Sequence, residues 1–319
     1  MMRTLYLLIF SLISAIANGQ VAGCRDRAAT NFNPKATVNN GTCLYVPVSV
    51  TPTLKFVLPQ MLMENSGMIF WNNLLWLHND SGGDAAIYGM DTLGNTIKRR
   101  LIIQDAFNID WEDIAQDDTH IYVGDFGNNS NGARPNFKIY KIAKKDISDT
   151  PGNVSVQAEI IKFKYDDQPE KQATVPANTT NWDCEAMISY KDKLYLFTKQ
   201  WKGNKTVLYE LSKSAGEHLA VRKDSLDVGG LITGADIQIS KGHIVLTGYM
   251  SGGQRFIYLL YAYEENNFFA GNKRKIILNG PSQLEAVTFI NEKYLFLGSE
   301  SFSIVKQRLE TMNLEDFLK

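Results

Sequence analysis

One pattern returns five times from residue 64 onward, and it narrows the choice of fold more than any other feature of the chain. In each copy an acidic or small pair precedes an apolar residue, and a second apolar run begins seven positions later. The copies start at Ser66-Gly67-Met68, Glu112-Asp113-Ile114, Glu185-Ala186-Met187, Ala235-Asp236-Ile237 and Glu285-Ala286-Val287. Their second runs are Leu75-Trp76-Leu77, Ile121-Tyr122-Val123, Leu194-Tyr195-Leu196, Ile244-Val245-Leu246 and Tyr294-Leu295-Phe296. Turn formers such as Asn72-Asn73 and Lys241-Gly242 lie between, so each copy predicts a strand, a tight turn and a strand. Third strands are expected at Ile87-Tyr88, Ile139-Tyr140, Leu208-Tyr209, Ile257-Tyr258 and Ile304-Val305. Fourth strands are expected at 97–103, 156–165, 218–226 and 273–278. Four short antiparallel strands recurring at about 50 residues form a propeller blade.

The fifth copy runs out of chain after its third strand, and the missing piece is available at the other end as Leu54-Lys55-Phe56-Val57-Leu58. The fold class is therefore all-β: a five-bladed β-propeller whose N-terminal strand closes the last blade and removes an open edge. Six blades are the alternative, because the second copy is lengthened by 130–136 and 166–180.

Before the repeat come shorter signals. Arg3 and the apolar run Leu5 to Ile16, with Ala17 and Gly19 before Gln20, read as a secretory signal peptide. A lipidated Cys24 within Val21-Ala22-Gly23-Cys24 is the second reading. No later stretch is long and apolar enough to cross a bilayer. The expected organisation is a signal peptide over 1–19, a small disulfide module over 20–46, a linker over 47–53 and a propeller over 54–319. The expected location is secreted, cell-surface or periplasmic.

Of three cysteines, Cys24 and Cys43 form a close pair and Cys184 stands far away between Asp183 and Glu185. In an exported chain that spacing reads as one bridge and one free thiol, and acidic neighbours make Cys184 a poor nucleophile. Closing a loop of this length is worth about 3 kcal/mol in the chain-entropy picture. Asp26, Asn31, Asn33 and Asn39 are oxygen donors for Ca²⁺ or, alternatively, the ordinary makers of Asx-turns. The segment resembles a short motif of secreted proteins from Bacteroidetes-type bacteria at Cys24, Asp26, Ala29, Asn31, Phe32, Asn33, Pro34, Ala36, Asn39, Asn40, Gly41 and Cys43.

The chemistry is less explicit. A net charge of −1 and the lack of a basic block argue against a nucleic-acid partner. Familiar nucleophile, zinc and phosphate-loop signatures are missing, and the four histidines show no ligand spacing. What recurs is carboxylate at the start of the innermost strands: Glu64, Asp110, Glu112, Asp113, Asp183, Glu185, Asp236 and Glu285. Those strand ends meet at one mouth of the channel, where like charges repel unless a cation neutralises them. Glu64, Asp110, Glu112, Asp183, Glu185, Asp236 and Glu285 are thus candidate ligands for Ca²⁺, with backbone locking between blades as the competing role. A second polar set, Asn79, Asp80, Asp125, Asn128, Lys199, Trp201, Tyr249 and Glu300, is expected on a ligand-receiving face. Trp111, Trp182 and Trp201 would offer it aromatic surface, or be core.

With HNDSGG, DWEDIA, GDFGNN, CEAM and LEAV, residues 54–310 resemble secreted bacterial propellers similar to the SdiA-regulated and NHL-type families. The likeness to phytase-like esterase and lactonase propellers is more distant. The resemblance implies a fold rather than an activity. The expectation is a secreted or surface binding module with a structural Ca²⁺ at the channel mouth and an extracellular carbohydrate or peptide ligand. The alternative is a metal-dependent hydrolase of the lactonase or phosphoesterase type.

Overall fold

The computed structural model describes residues 19–93, 95–170 and 173–318; the export segment read over 1–19 lies outside them except for Gly19. Two short parallel strands, β1 (Ala22–Gly23) and β2 (Val38–Asn39), belong to the N-terminal module, followed by β3 (Ser49–Val50) and β4 (Thr53–Val57). The rest sorts into antiparallel meanders. The first is β5 (Asn65–Trp71), β6 (Leu74–Asn79), β7 (Ala86–Asp91) and β8 (Thr96–Ile103). The second is β9 (Trp111–Gln116), β10 (His120–Asp125), β11 (Phe137–Ala143) and, after β12 (Gly152–Val156), β13 (Glu159–Tyr165). The third is β14 (Cys184–Tyr190), β15 (Lys193–Thr198), β16 (Lys205–Ser212) and β17 (Gly216–Asp227). The fourth is β18 (Leu231–Gln238), β19 (His243–Tyr249), β20 (Arg255–Tyr261) and β21 (Asn272–Leu278). The last is β22 (Gln283–Phe289), β23 (Tyr294–Glu300) and β24 (Arg308–Asn313), completed by β4, which pairs antiparallel with β24.

Innermost strands pack in a closed cycle, β5 on β9, β9 on β14, β14 on β18, β18 on β22 and β22 on β5. The fold is a β-propeller. Segment 166–180 contributes no strand among its described residues. Each junction between neighbouring sheets holds its own apolar cluster. Trp76 and Trp111 join the first and second sheets, and Phe137, Phe163 and Leu196 the second and third. Phe197, Phe256 and Phe268 serve the third and fourth, Ile257 and Leu297 the fourth and fifth, and Met68 and Phe296 the fifth and first. Successive side chains of a strand alternate between two such clusters, as Leu194 and Leu196 do with Tyr195 and Phe197, which is why the repeat carries a period-two pattern.

Three expectations shift. Ile304-Val305 is not the third strand of the last sheet. Ile304 is 95% exposed in the tight turn closed by a small bridge between Phe302 and Val305, and the strand is β24. The stretch read as linker contains β3, which adds in parallel to β21. The turn of the fourth sheet is longer than that of the first, because Gln238 pairs with His243 whereas Trp71 pairs with Leu74. Ala235, not Ile237, therefore takes the ladder position of Met68 and Ile114, facing Leu246 as they face Leu77 and Val123.

Outer edges are covered as well. Strand β12 lies parallel on β8, β13 lies parallel on β17, and β3 covers part of β21. These additions move the sheet edges outward to β12 and β3, while β4 is the edge of the last sheet. No helix among the described residues is long and apolar enough to cross a membrane.

The N-terminal module is closed by a Cys24–Cys43 disulfide, and Cys184 is free and buried. Its polar side chains make turns: Asp26 accepts from the Ala28 amide (2.8 Å), Asn33 from Lys35 (3.0 Å) and Asn31 from Leu44 (2.8 Å). The module docks on the fourth sheet. Asp26 Oδ2 accepts from the hydroxyls of Tyr45 (2.8 Å) and Tyr261 (2.6 Å), and the Arg274 guanidinium lies 5.1 Å from the Tyr45 ring centre. Asn39 donates to Asn272 (2.9 Å), and Lys273 donates to the Gly41 carbonyl (3.2 Å). Gly41 has φ +68°, and a Cβ there would collide with the Ala270 carbonyl.

Two outcomes follow from this architecture. Removing Leu54 to Leu58 takes away the strand that closes the last sheet, so the cooperative melting transition of the whole propeller should be lost. A truncated chain that melts like the full one would exclude closure by β4. The second concerns Asp26. Burial pushes its pKa up, but bonds from Tyr261, the Ala28 amide and Tyr45, with the Arg274 charge, outweigh this and leave it lowered. A depressed carboxylate contributes stability above its unfolded value near 4, and that contribution is lost as pH falls through the folded value. Hydrogen exchange should therefore show the module loosening from β21 below about pH 4, and Asp26→Asn should loosen it already at neutral pH.

Candidate functional site

Every innermost strand carries a β-bulge near its start, and the bulged residues are Ser66, Glu112, Glu185, Thr233 and Glu285. A bulge leaves one residue out of the ladder and re-aims its side chain. Ser66 and Thr233 turn theirs to the next sheet, donating to the carbonyls of Glu112 (2.7 Å) and Leu284 (2.6 Å). Glu112, Glu185 and Glu285 are buried, and one oxygen of each, Oε1, makes no hydrogen bond.

The two polar sets read from the sequence lie at the same end of the molecule. Ladder pairing sets Asn79 against Asn65, Asp125 against Trp111, Thr198 against Cys184 and Glu300 against Gln283. Asp80, Asp110 and Glu112 place carboxylate oxygens within 4.8 Å of one another, and so do Glu112, Asp183 and Glu185. Glu112 belongs to both groups. Glu64 is exposed beside them, and the Asp80 amide donates to its carbonyl (2.9 Å).

Other members are brackets. Both Asp183 oxygens are engaged, by the Asn128 amide and the Trp201 indole N–H, each at 2.7 Å. Asn128 donates to the Trp182 carbonyl (3.0 Å), and Asn79 to that of Met61 (2.8 Å). Asp113 lies one residue deeper than the bulge and accepts from the amides of Ile114, Met187 and Ala235, tying three sheets together. Asp236 is a correction to the expected ring. The long turn of its sheet shifts it out of the register of the other acids, and it accepts from the Phe289 amide and the Thr288 hydroxyl of β22. Trp111 is wholly buried against Tyr140, and Trp182 is half-buried against the cluster between the second and third sheets with its indole N–H on Asp167.

Positive charge is sparse and placed. Lys199, 4% exposed, stands with its ammonium 3.1 Å from Glu185 Oε1 and against the rings of Trp201 (4.9 Å) and Tyr249 (5.4 Å). Arg134 pairs with Asp125 and donates to the Gly127 carbonyl (3.0 Å), while Lys138 lies 3.5 Å from Asp125 Oδ2. Arg134 escaped the sequence reading, because it sits in the insertion 130–136 that looks like a plain loop. Its only signal there is a lone arginine beside Pro135.

The acids remain under-compensated. Burial first, then the neighbouring Asp110, pushes Asp80 up to about 8. Asp110 is raised to about 6 by burial and by Asp183, against the pull of Arg134. Burial first and Glu185 second raise Glu112 well above the usual carboxylate range. Glu300 is lifted to about 8 by burial and Glu285. Arranged this way, the mouth can take up protons or a cation whose donor shell is oxygen.

Gly127 reveals how closely the carboxylates approach the chain. A Cβ there would overlap Glu112 Oε1 and Asp110 Oδ2. Gly127→Ala is expected to cost about 1–3 kcal/mol, as overpacking in a filled interior does, measured by urea denaturation. Wild-type stability would mean that both carboxylates move aside freely.

No protein-family model and no curated protein matches the chain. Among solved structures it is similar to the PQQ-bound aldose sugar dehydrogenase of Streptomyces coelicolor, with a TM-score of 0.46 and 10% identity, over 83% of this chain and 99% of that one. It is also similar to a DUF4623 family protein of Bacteroides eggerthii, with a TM-score of 0.46 and 12% identity, over 85% of this chain and 61% of that one. Likeness at this level carries no argument about activity.

Proposed function

We propose that the protein is a binding module exported to the cell surface or beyond, with one Ca²⁺ held at the propeller mouth by Asp80, Asp110 and Glu112. The carrying observation is that Asp80 Oδ1 and Glu112 Oε1 are buried without hydrogen-bond partners inside a group of three carboxylates. Structural acids are ordinarily satisfied, as Asp113 and Asp236 are here, and orphaned buried oxygens call for another partner. An all-carboxylate donor set without histidine or cysteine suits a hard cation. Asp80 and Asp110 are less buried than Glu112, which supports open coordination positions facing solvent, where an extracellular ligand can bind. Export is supported by the Cys24–Cys43 disulfide, which persists in oxidising compartments. The resemblance of residues 54–310 to SdiA-regulated and NHL-type propellers supports the same reading.

Elemental analysis of purified protein, with melting curves in EDTA and in Ca²⁺, tests the assignment. A ligand bound only by the folded state at one hundred times its Kd stabilises it by about 2.7 kcal/mol, so chelation should lower the Tm measurably. Glu112→Gln should blunt the response. Asp118→Asn, exposed in the hairpin turn at the other end of β9, should not. The apparent affinity should rise between pH 6 and 8, because the cation must displace the proton that Asp80 holds up to about pH 8. A metal-free protein that melts identically in both media would leave the acids as structural groups.

A further inference from the structure

The two carboxylate groups at the mouth share Glu112 but differ in company. At Asp80, Asp110 and Glu112 the ion-pair partner is Arg134, 4.0 Å from Asp110 Oδ2 and already committed to Asp125. At Glu112, Asp183 and Glu185 stands an ammonium. Lys199 Nζ is 3.1 Å from Glu185 Oε1, and the main chain beneath it is fixed by its amide donating to the Asp183 carbonyl at 2.7 Å. The rings of Trp201 and Tyr249 flank the ammonium, and Trp201 is itself pinned by its indole N–H on Asp183. Aromatic faces hold a cation while excluding water from it. Glu112 Oε1, which both groups share, is buried and makes no hydrogen bond, and Glu185 Oε1 is met by the Lys199 ammonium, so in this second group the ammonium stands where the first has an orphaned oxygen.

We infer that the Lys199 ammonium occupies a second cation position, so that the mouth takes one divalent ion fewer than its carboxylates would otherwise hold. The assignment rests on the reading of the mouth as a Ca²⁺ site and adds to it what sets the number of ions. A lysine suits this role because its charge is a compact point on a flexible stem, closer to a metal ion than the flat fork of arginine. Its flanking rings keep that charge in place, whereas a free ion would exchange with solvent. With Lys199 neutralised, Glu112, Asp183 and Glu185 are left buried without a countercharge, and the nearest remedy is a hard cation from solution.

The experiment compares the full chain with Lys199→Met and with the double variant Lys199→Met/Glu185→Gln. Bound Ca²⁺ is counted by equilibrium dialysis and elemental analysis, with the folded fraction read by circular dichroism in the same samples. Lys199→Met is expected to bind one Ca²⁺ more per chain than the wild type. Removing Glu185 as well should return the count to the wild-type value. Should Lys199→Met unfold without metal, added Ca²⁺ is expected to restore its fold with the higher count. A folded Lys199→Met with the wild-type count overturns the inference, and so does a Lys199→Met chain that no Ca²⁺ concentration can fold. A wild type that binds no Ca²⁺ refutes the proposed function instead. It leaves this comparison intact, since the added ion is counted against the wild type.

Discussion

Glu112 has no partner across its ladder, because pairing slips from Gly124–Asp113 to Asp125–Trp111 and skips it. The same slip occurs in every sheet, and the character of the mouth depends on it. A regular strand would alternate Glu112 with its neighbours and bury its carboxylate among the apolar residues between sheets. The bulge instead frees one residue per sheet from the alternation. Where that residue is a hydroxyl, as at Ser66 and Thr233, it hydrogen-bonds the next sheet and is finished. Where it is glutamate, an acid is delivered to the interior without a backbone partner.

Two kinds of buried acid therefore coexist within a few residues. Asp113 and Asp236 point along the strands into the amides of neighbouring sheets, which stabilise them as anions and make them structural. Glu112, Glu185 and Glu285 lack such donors. Lys199 and Arg134 neutralise only part of the charge, and they do so from fixed places, one boxed by aromatic rings and the other held by carbonyls. Electrostatic strain concentrated at one end of an otherwise satisfied scaffold is what binding sites commonly show.

The legible part of this arrangement was whatever the period carried. Strand, turn, strand and the closing role of Leu54 to Leu58 followed from apolar runs at a constant offset, because each sheet buries both faces against its neighbours. The fourth copy misled: Ile237 fits the seven-residue offset to Ile244 and Ala235 does not, and nothing local reveals the longer turn that moves Asp236 out of line. Ile304 misled in the same way, being apolar in a suitable place yet exposed. At the mouth, the acids were visible one by one. That both polar sets share one end, and that Gly127 yields space to Glu112, depends on bulges and loop approach, which leave no periodic trace.

The pairing of β4 with β24 also governs when the molecule can exist at all. More than two hundred residues separate Val57 from Arg308, its partner. On the ribosome β4 is made early and must wait, unpaired, until the far strand has emerged. Every intermediate length is a ring with a gap, exposing the flank of its newest sheet. Contacts of such sequence separation form late and slowly, and the chain cannot commit to its final shape part-way through synthesis. For the exported protein proposed above, that delay would work in its favour: the last step of folding is reserved for the compartment where both halves of the final sheet arrive.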